Sequence, residues 1–480
     1  MNRDRTAGSS LSRAITAAEY FTVAFGCVVG VAWVIVLGDI VARAGPAGAA
    51  LAMAGGGVAI LIVAFCYAEV AAARPAAGGE LVYAHELAGS GGSFAVGWLL
   101  ALIYVSACAF EAISIGAVSD LLFPGATGPR LYALFGQDVR MGGVIIGLGA
   151  AIALWLLNLA GAALTARSQQ WVTYARIALM FIFLGVAIAY GRPANLAPLF
   201  RHAATSARLG DILAVLATAP FWFGGFTVFA TAAEESASSM RLVGRAIVVS
   251  VIAAGVFYVT LILCISALAP WPVLAAMKLP AAQAFKVGVR SPAMAKLVLA
   301  TALLGNLTAW NALLLAGSRV LFALGRAKLA PDRLARVHPR SHAPSTAIGL
   351  VSLISIGALF LGRGFIAPLI NVSSAVYCLM YLVTCLTLIR LRRASGGPPA
   401  AYAAPGGAAT AWLAIAASVA MLAVSLVGPW MASGGAIPPE WLTLAGWSAL
   451  GAIVWLASAR SRAEVSEPER AQLLRGYLTP

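Results

Sequence analysis

Read from its amino end, the chain alternates long apolar stretches with short polar ones. Stretches of about 20 apolar residues are long enough to span a hydrocarbon core as α-helix. They fall at 18–42, 47–72, 93–121, 141–161, 170–190, 211–232, 244–268, 293–323, 345–363, 365–390, 409–428 and 440–458. The pattern predicts an all-α integral membrane protein with about twelve transmembrane helices, because a helix satisfies its own backbone in lipid. The third and eighth stretches are long and require tilt. The ninth and tenth are divided only by Arg363-Gly364.

Composition agrees and narrows the class. Of 480 residues, 61% are hydrophobic and 10% charged, with mean hydropathy +0.91. A water-facing surface needs more polar side chains than that, which excludes an ordinary soluble enzyme, a disordered chain and a secreted disulfide scaffold. The net charge of +15 would suggest nucleic acid in a soluble protein. Here Lys and Arg sit mainly in the links between spans, so the expected partner is an anionic lipid leaflet and not nucleic acid. The densest basic clusters, Arg326, Lys328, Arg333, Arg336, Arg340 and then Arg390, Arg392, Arg393, favour both termini in the cytoplasm of a cell bounded by this plasma (inner) membrane. Lys278, Lys286, Arg290 and Lys296 fall on the outer side against that trend. The six cysteines lie in apolar runs without a CxxC and read as small buried hydrophobes. The four histidines lie in or beside links, so neither a metal centre nor a cofactor is expected. Met1–Arg13 is polar and the run after it reaches spanning length, unlike a cleaved signal peptide.

Two spans carry glycines near their middles: Gly26-Cys-Val-Val-Gly30 in the first and Phe223-Gly224-Gly225-Phe226 in the sixth. Each glycine costs a helix about 1 kcal/mol relative to alanine. Glycines that only let helices pack closely are the plain alternative. Matched breaks in two halves of a chain, however, mark discontinuous helices of the kind that line a transport site. Five spans separate them, so spans one to five and six to ten would be inverted repeats, with the last two outside.

Three stretches carry a family likeness. Tyr67-Ala-Glu69 leads to Arg74-Pro75 and Gly78-Gly79-Glu-Leu-Val-Tyr83 after the second span. Phe221-Trp-Phe-Gly-Gly225-Phe-Thr227 leads into Ala233-Glu234-Glu235 and Arg241-Leu-Val-Gly-Arg245. Ser318-Arg319-Val-Leu-Phe-Ala-Leu-Gly-Arg326 continues to Leu329-Ala-Pro331 and Pro344-Ser-Thr-Ala347. In this order and topology the chain resembles permeases of the amino acid–polyamine–organocation (APC) superfamily. The resemblance implies a five-plus-five inverted-repeat (LeuT-like) fold with helices 1 and 6 discontinuous. The segments would be a cytoplasmic start (1–17), a ten-helix transport core (18–392), a linker (393–408), helices 11 and 12 (409–458) and a cytoplasmic tail (459–480).

It also implies a site. A broken helix exposes amides that suit a carboxylate and carbonyls that suit an ammonium. The resemblance places substrate against Gly26, Cys27, Val28, Gly30, Val31 and Ala32 of the first span. From the sixth it adds Phe221, as a shielding aromatic, with Gly224, Gly225, Phe226 and Thr227. Gly30-Val31-Ala32 stands where the family usually has Gly-small-Gly, which narrows the space beside the amides. Thr227 stands where arginine-type antiporters carry an acid, which favours neutral amino acids. Arg176 in the fifth span aligns with a lysine that replaces a sodium ion in sodium-independent members, and reads as a fixed cation. Glu111, in mid-third span, is either a proton carrier or a static partner of Arg176. Glu69, Glu234, Glu235, Arg241, Arg245 and Arg319 read as a cytoplasmic gate network or as solvated charges. Asn306 and Trp310 read as core, or as site lining; Glu19 and Asp39 are assigned no role.

The reading is thus a secondary transporter of amino acids, neutral ones by preference, sodium-independent and driven by protons or exchange. A permease for an amine or a modified amino-acid conjugate is the second reading. An integral membrane enzyme would need clustered carboxylates or histidines within the membrane, and the sequence has no such motif. The sequence does not distinguish a monomer from a homodimer.

Overall fold

The computed structural model describes residues 17–74, 78–134, 137–231, 239–393 and 401–475. Among them, ten helices are long and apolar enough to cross a membrane, and two shorter apolar helices cover 21–35 and Ser345–Ala358. The protein is therefore a multi-pass, all-α membrane protein. Strands β1 (Arg130–Leu134) and β2 (Gln137–Arg140) pair as one antiparallel hairpin in the link after the third span, an element the apolar pattern does not predict.

The first apolar run is three pieces. Helix α1 (Ala17–Val28) stops, α2 (Ala32–Ile35) restarts, and α3 (Leu37–Ala73) carries the chain onward through the second run. The boundary expected near residues 42–47 is a kink at Gly45, with φ 72°, followed by Pro46, which has no N–H to donate. A Cβ at Gly45 would lie 2.7 Å from the Leu199 carbonyl oxygen, so glycine is required by space as well as by φ.

Two helices begin well ahead of the expected 93 and 170. Helix α4 (Glu80–Leu122) bends at Ala88-Gly89, and its polar Ser93 is buried, donating to Leu81 O at 2.8 Å. After α5 (Met141–Leu159), α6 (Ala162–Tyr190) starts with Gln169 and Thr173 turned into the protein. Hydropathy misses such turns because their polar side chains find partners inside the bundle.

The sixth run is α7 (Thr205–Leu216), α8 (Ala219–Phe223), a 3₁₀ turn over Gly224–Thr227 and α9 (Val228–Thr231). Then follow α10 (Met240–Leu268), short α11 (Trp271–Ala275) and α12 (Pro280–Gly288), and α13 (Pro292–Arg326). Ser291 caps α13 by accepting the Met294 N–H at 3.2 Å. Helix α14 (Ser345–Ala358) is shorter than the expected 345–363, ending in a turn closed by Gly362 at φ 71°. Next come α15 (Ile366–Arg393), α16 (Ala408–Ala432), α17 (Pro439–Ala457), α18 (Ala459–Ala463) and α19 (Glu467–Arg475). Helices α4, α13 and α15 form the buried interior, while α17 is almost wholly exposed at the rim.

The last segment, expected as a cytoplasmic tail, folds back onto the bundle. Helix α19 docks on the first turns of α4, at what is here called the basal end. Arg470 is 3% exposed and donates to Ala327 O (3.1 Å), Arg462 O (2.6 Å), Val465 O (3.0 Å) and Ser90 Oγ (2.6 Å). Glu467 accepts from Ser90 Oγ at 2.6 Å and pairs with Arg470 at 3.1 Å. The Ser90 hydroxyl, with Arg470 and His85, holds the Glu467 carboxyl below its usual range. A carboxyl depressed in the docked state supports docking above its undocked pKa, and that support disappears as pH falls through the docked value. Hydrogen exchange over 467–475, corrected for its intrinsic pH dependence, is expected to quicken as pH falls from neutral to about 4. Glu467→Gln is expected to exchange fast already at neutral pH, with no further acid step.

Candidate functional site at two helix breaks

The first break is a gap in one hydrogen-bond ladder. The ladder runs up to the Val29 N–H donating to Phe25 O at 2.9 Å and resumes where the Val34 N–H donates to Val31 O, also at 2.9 Å. Val28, Val29, Val31 and Ala32 around the gap are all buried. Backbone groups freed at such depth must be satisfied by side chains or by a ligand.

The second break starts earlier than the glycines. Ladder bonds shift register at Ala217-Thr218, where the Thr218 N–H reaches Val215 O at 3.0 Å, and the chain then tightens into the 3₁₀ turn at Gly224–Thr227. Hydroxyls from neighbouring helices cover the loosened carbonyls: Ser425 reaches Ala217 O (3.0 Å), Ser374 Thr218 O (3.5 Å) and Tyr381 Pro220 O (3.5 Å). Sequence reading located this break by Gly224-Gly225 alone, and missed that these three hydroxyls make it tolerable.

The two breaks touch. A Cβ on Gly225 would fall 2.5 Å from the Val28 nitrogen and 2.6 Å from the Cys27 carbonyl carbon. Tyr258 on α10 spans them, its hydroxyl lying 2.5 Å from Val28 O and 3.2 Å from Trp222 O. Between the breaks lies a cavity of about 30 Å³, lined by Cys27, Val28, Gly30, Ala32, Glu111, Phe221 and Gly225 together with Tyr258 and Tyr377. Several other expected site residues point elsewhere. Gly26 faces Gln169 and Thr173, Gly224 lies under the Tyr377 ring, Phe226 stacks on Tyr381, and Thr227 meets the Tyr104 hydroxyl at 3.1 Å. Phe221 packs edge-on against Phe110, ring centroids 5.1 Å apart. Tyr258 and Tyr377 carry no sequence signal beyond being tyrosines within apolar spans. A larger cavity of about 930 Å³, lined by residues such as Arg201, Val427 and Glu440, reaches Ala217, Thr218 and Ser425 at the start of the second break but no residue of the first. The freed backbone, rather than cavity size, makes the breaks the candidate site.

Tyr258→Phe removes the one O–H that two buried carbonyls share, a loss costing roughly 1–3 kcal/mol. Uptake is expected to fall about tenfold, since 1.4 kcal/mol is one decade, with elution on size-exclusion chromatography unchanged.

Arg176 of α6 is 1% exposed and ties three spans together. Its Nη1 donates to Thr308 Oγ1 on α13 at 2.9 Å, its Nη2 to Phe25 O on α1 at 3.4 Å, and its guanidinium lies 5.7 Å from the Phe25 ring centre. Beside it runs a chain of buried amides: Asn158 donates to Asn311 (2.8 Å), Asn311 to Gln169 (2.5 Å) and Gln169 to Val23 O (3.3 Å). Glu111 on α4 is 4% exposed, its Oε1 lies so close over Gly30 that a Cβ there would be 2.7 Å from it, and its own backbone carbonyl accepts from Asn306 at 2.8 Å. Trp310 is buried. Among the described residues Arg176 and Glu111 form no direct ion pair; each influences the other across the cavity wall.

At the basal end lie several of the expected gate charges. Glu69 is paired with Arg392, which donates from both Nε (2.8 Å) and Nη2, and it also accepts the Ala404 N–H at 2.7 Å. Arg392 and the linker residue Ala404 are thus partners of Glu69 that the sequence reading did not name. Arg241 and Arg245 are exposed, with Arg241 donating to Ala401 O at 3.2 Å, and Arg319 is buried, donating to Ser318 at 2.9 Å. Glu234 and Glu235 lie outside the described residues. Glu80, quoted only as part of a motif, proves fully buried and accepts from Tyr67 at 2.8 Å.

A profile of amino acid permeases matches residues 20–458, nearly the whole chain. The chain belongs to the amino acid permease family. Curated relatives span most of its length. The methylthioribose transporter of Bacillus subtilis (strain 168) is 28% identical over 389 residues, 80% of this chain and 82% of that protein. The branched-chain amino acid permease BcaP of Lactococcus lactis subsp. cremoris (strain MG1363) is 25% identical over 411 residues, 84% and 87%. The amino-acid permease RocE of Bacillus subtilis (strain 168) is 26% identical over 351 residues, 71% and 72%. This permease is thus a membrane transporter of small molecules, and the touching helix breaks are where its interior offers freed backbone groups.

Proposed function

We propose that this permease carries small neutral amino acids across the plasma membrane by alternating access, without sodium, using protons or exchange. One observation supports this most: two broken spans meet at a buried cavity, with one tyrosine hydroxyl against a carbonyl of each. The substrate carboxylate would take the Val31 amide and the ammonium the carbonyls beside Tyr258, so that a zwitterion replaces the missing ladder partners. Thr227, already engaged with Tyr104, supplies no countercharge for a dibasic side chain. Arg176 would act as the fixed cation between first, fifth and eighth spans. Glu69 with Arg392 would close the basal end, which would face the cytoplasm together with both termini. The spans from 18 to 392 would form the inverted-repeat core.

A second reading, a permease for an uncharged or amine solute, is favoured by the relative named for methylthioribose and by the bulk of Val31-Ala32 beside the amides. The deciding experiment is uptake into proteoliposomes of labelled L-alanine, L-leucine, L-arginine, γ-aminobutyrate and methylthioribose, under imposed pH or sodium gradients or with internal counter-substrate. Uptake of L-alanine or L-leucine that ignores sodium supports the first reading; uptake confined to methylthioribose overturns it.

A further inference from the structure

The large cavity beside the second break is built unlike the small one between the breaks. It holds about 930 Å³, near the top of the roughly 300–1,000 Å³ range of small-molecule pockets. Its walls are α7, the last turns of α16 and the link from there into α17. Leu213, Val427 and Met431 line it and are exposed, so it opens sideways onto the apolar surface of the spans. Farther along α7 it reaches Thr218, opposite Ser425, and both hydroxyls there are spent on backbone carbonyls.

The charged groups of this cavity gather at the end opposite α19. Arg43 lies in the first turns of α3, and Arg201, in the link before α7, is set close by because its N–H donates to Ala44 O at 3.4 Å. Among the described residues neither guanidinium has an ion pair or a hydrogen bond. The two acids of the lining leave them so. Asp211 is paired with His202 at 2.6 Å. Glu440, 9% exposed in the first turn of α17, accepts from Asn371 Nδ2 at 2.5 Å and has no cation as partner among the described residues.

One apolar cavity thus presents two unpaired guanidinium groups and, beyond ion-pair distance from them, a carboxylate held by an amide alone. Charges removed from water are normally paired or bind a ligand. An occupant that suits all three needs an anion for the arginines, an ammonium for Glu440 and an apolar body for the walls. Guanidinium groups match phosphate in geometry as well as in charge, and basic pockets between spans suit lipid headgroups. A free amino acid carries both charges but fills little of this volume, whereas a lipid enters directly through the side opening.

We propose that the cavity binds one phospholipid with a primary amine in its headgroup, such as phosphatidylethanolamine. The phosphate lies between Arg43 and Arg201, and the ammonium donates to Glu440. One acyl chain follows Leu213 and Val427 toward Thr218, packing against α7 where it leads into the second break. Phosphatidylcholine keeps the phosphate, but its quaternary nitrogen has no N–H for Glu440. Phosphatidylglycerol keeps the phosphate and has no cation.

The test melts purified protein, washed free of lipid in detergent, in mixed micelles with dioleoyl phosphatidylethanolamine, phosphatidylcholine or phosphatidylglycerol, and counts retained lipid by native mass spectrometry. Phosphatidylethanolamine is expected to raise the melting temperature by several degrees, at least about twice the shift given by the other two, with about one molecule retained per chain. Phosphoethanolamine, the same headgroup without chains, is expected to leave it unmoved, which separates a lipid from a free phosphate ester. Glu440→Gln, which keeps an acceptor for Asn371, is expected to erase the difference between phosphatidylethanolamine and phosphatidylcholine. Arg43→Gln combined with Arg201→Gln is expected to cut the shift from each phospholipid by about half or more. Equal shifts for the three lipids in the wild-type protein, a larger shift with phosphatidylglycerol, or a shift with phosphoethanolamine alone overturns the proposal. A preference for phosphatidylethanolamine that survives in Glu440→Gln overturns it as well. These readouts do not involve the transported solute, so the permease reading stands or falls separately.

Discussion

Gly225→Ala is expected to lower uptake by at least about a hundredfold, or about 2.7 kcal/mol at the rate-limiting step, in protein that still elutes as a single species. The added Cβ would meet three backbone atoms of the other break, at 2.5, 2.6 and 2.8 Å from Val28 N, Cys27 C and Val28 Cα. Backbone cannot rotate aside as a side chain can, so the two broken spans must separate and Tyr258 can no longer reach both. Gly30→Ala is the informative contrast. There the nearest atom is the end of a side chain, Glu111 Oε1 at 2.7 Å, followed by Ala309 Cβ at 3.0 Å. Glu111 can swing, so Gly30→Ala is expected to retain measurable uptake, about a tenth of wild type, with the loss falling on pH dependence. Gly185→Ala, with nothing within 4 Å of the new carbon, controls for glycine replacement as such and is expected to be neutral. Initial rates of labelled amino-acid uptake in proteoliposomes compare the three; equal rates for Gly225→Ala and Gly185→Ala would show that the breaks need not touch.

The contrast between these glycines also explains what was legible in the chain. Hydropathy marked the spans because lipid-facing helices must be apolar throughout, and the kink at Gly45-Pro46 fell where the polar gap at residues 42–47 suggested. It failed where polar side chains are satisfied internally, as at Ser93, Gln169 and Thr173, because a pattern of single residues carries no record of partners far along the chain. Gly30 and Gly225 stood out as glycines in mid-span, yet sequence alone does not tell a glycine pressed on foreign backbone from one beside open space, such as Gly185. Arg176 and Glu111 were visible because a charge in an apolar run is rare. Tyr258 was not, since a tyrosine in a span is common and only its position against two freed carbonyls gives it a part. The docking of the tail was hidden for the same reason as the early helix starts: Arg470 counts as polar by type but spends its donors on three carbonyls, a hydroxyl and a carboxylate.

Arg176→Ala is expected to be the most destabilising single change at the site. It removes the Thr308 and Phe25 contacts and the positive charge that faces Glu111 across the cavity. Each buried acceptor left without its donor costs about 1–3 kcal/mol, enough, together with the lost charge, to lower the apparent melting temperature by several degrees and to abolish uptake. If the dominant cost is the unbalanced charge, removing both charges must recover part of it. Arg176→Ala combined with Glu111→Gln is therefore expected to melt above Arg176→Ala alone, with a coupling of about 1–3 kcal/mol. If the cost is instead the lost Thr308 and Phe25 hydrogen bonds, the double variant will be no more stable than the single one. Sodium supplies a further measurement, because a cation that only fills a place can be replaced by another. With Arg176 gone, sodium is expected to raise the melting temperature of Arg176→Ala and leave the wild-type protein unmoved. Arg176→Lys, which keeps the charge but can no longer serve both acceptors with two guanidinium nitrogens, is expected to fall between the two in stability and to ignore sodium.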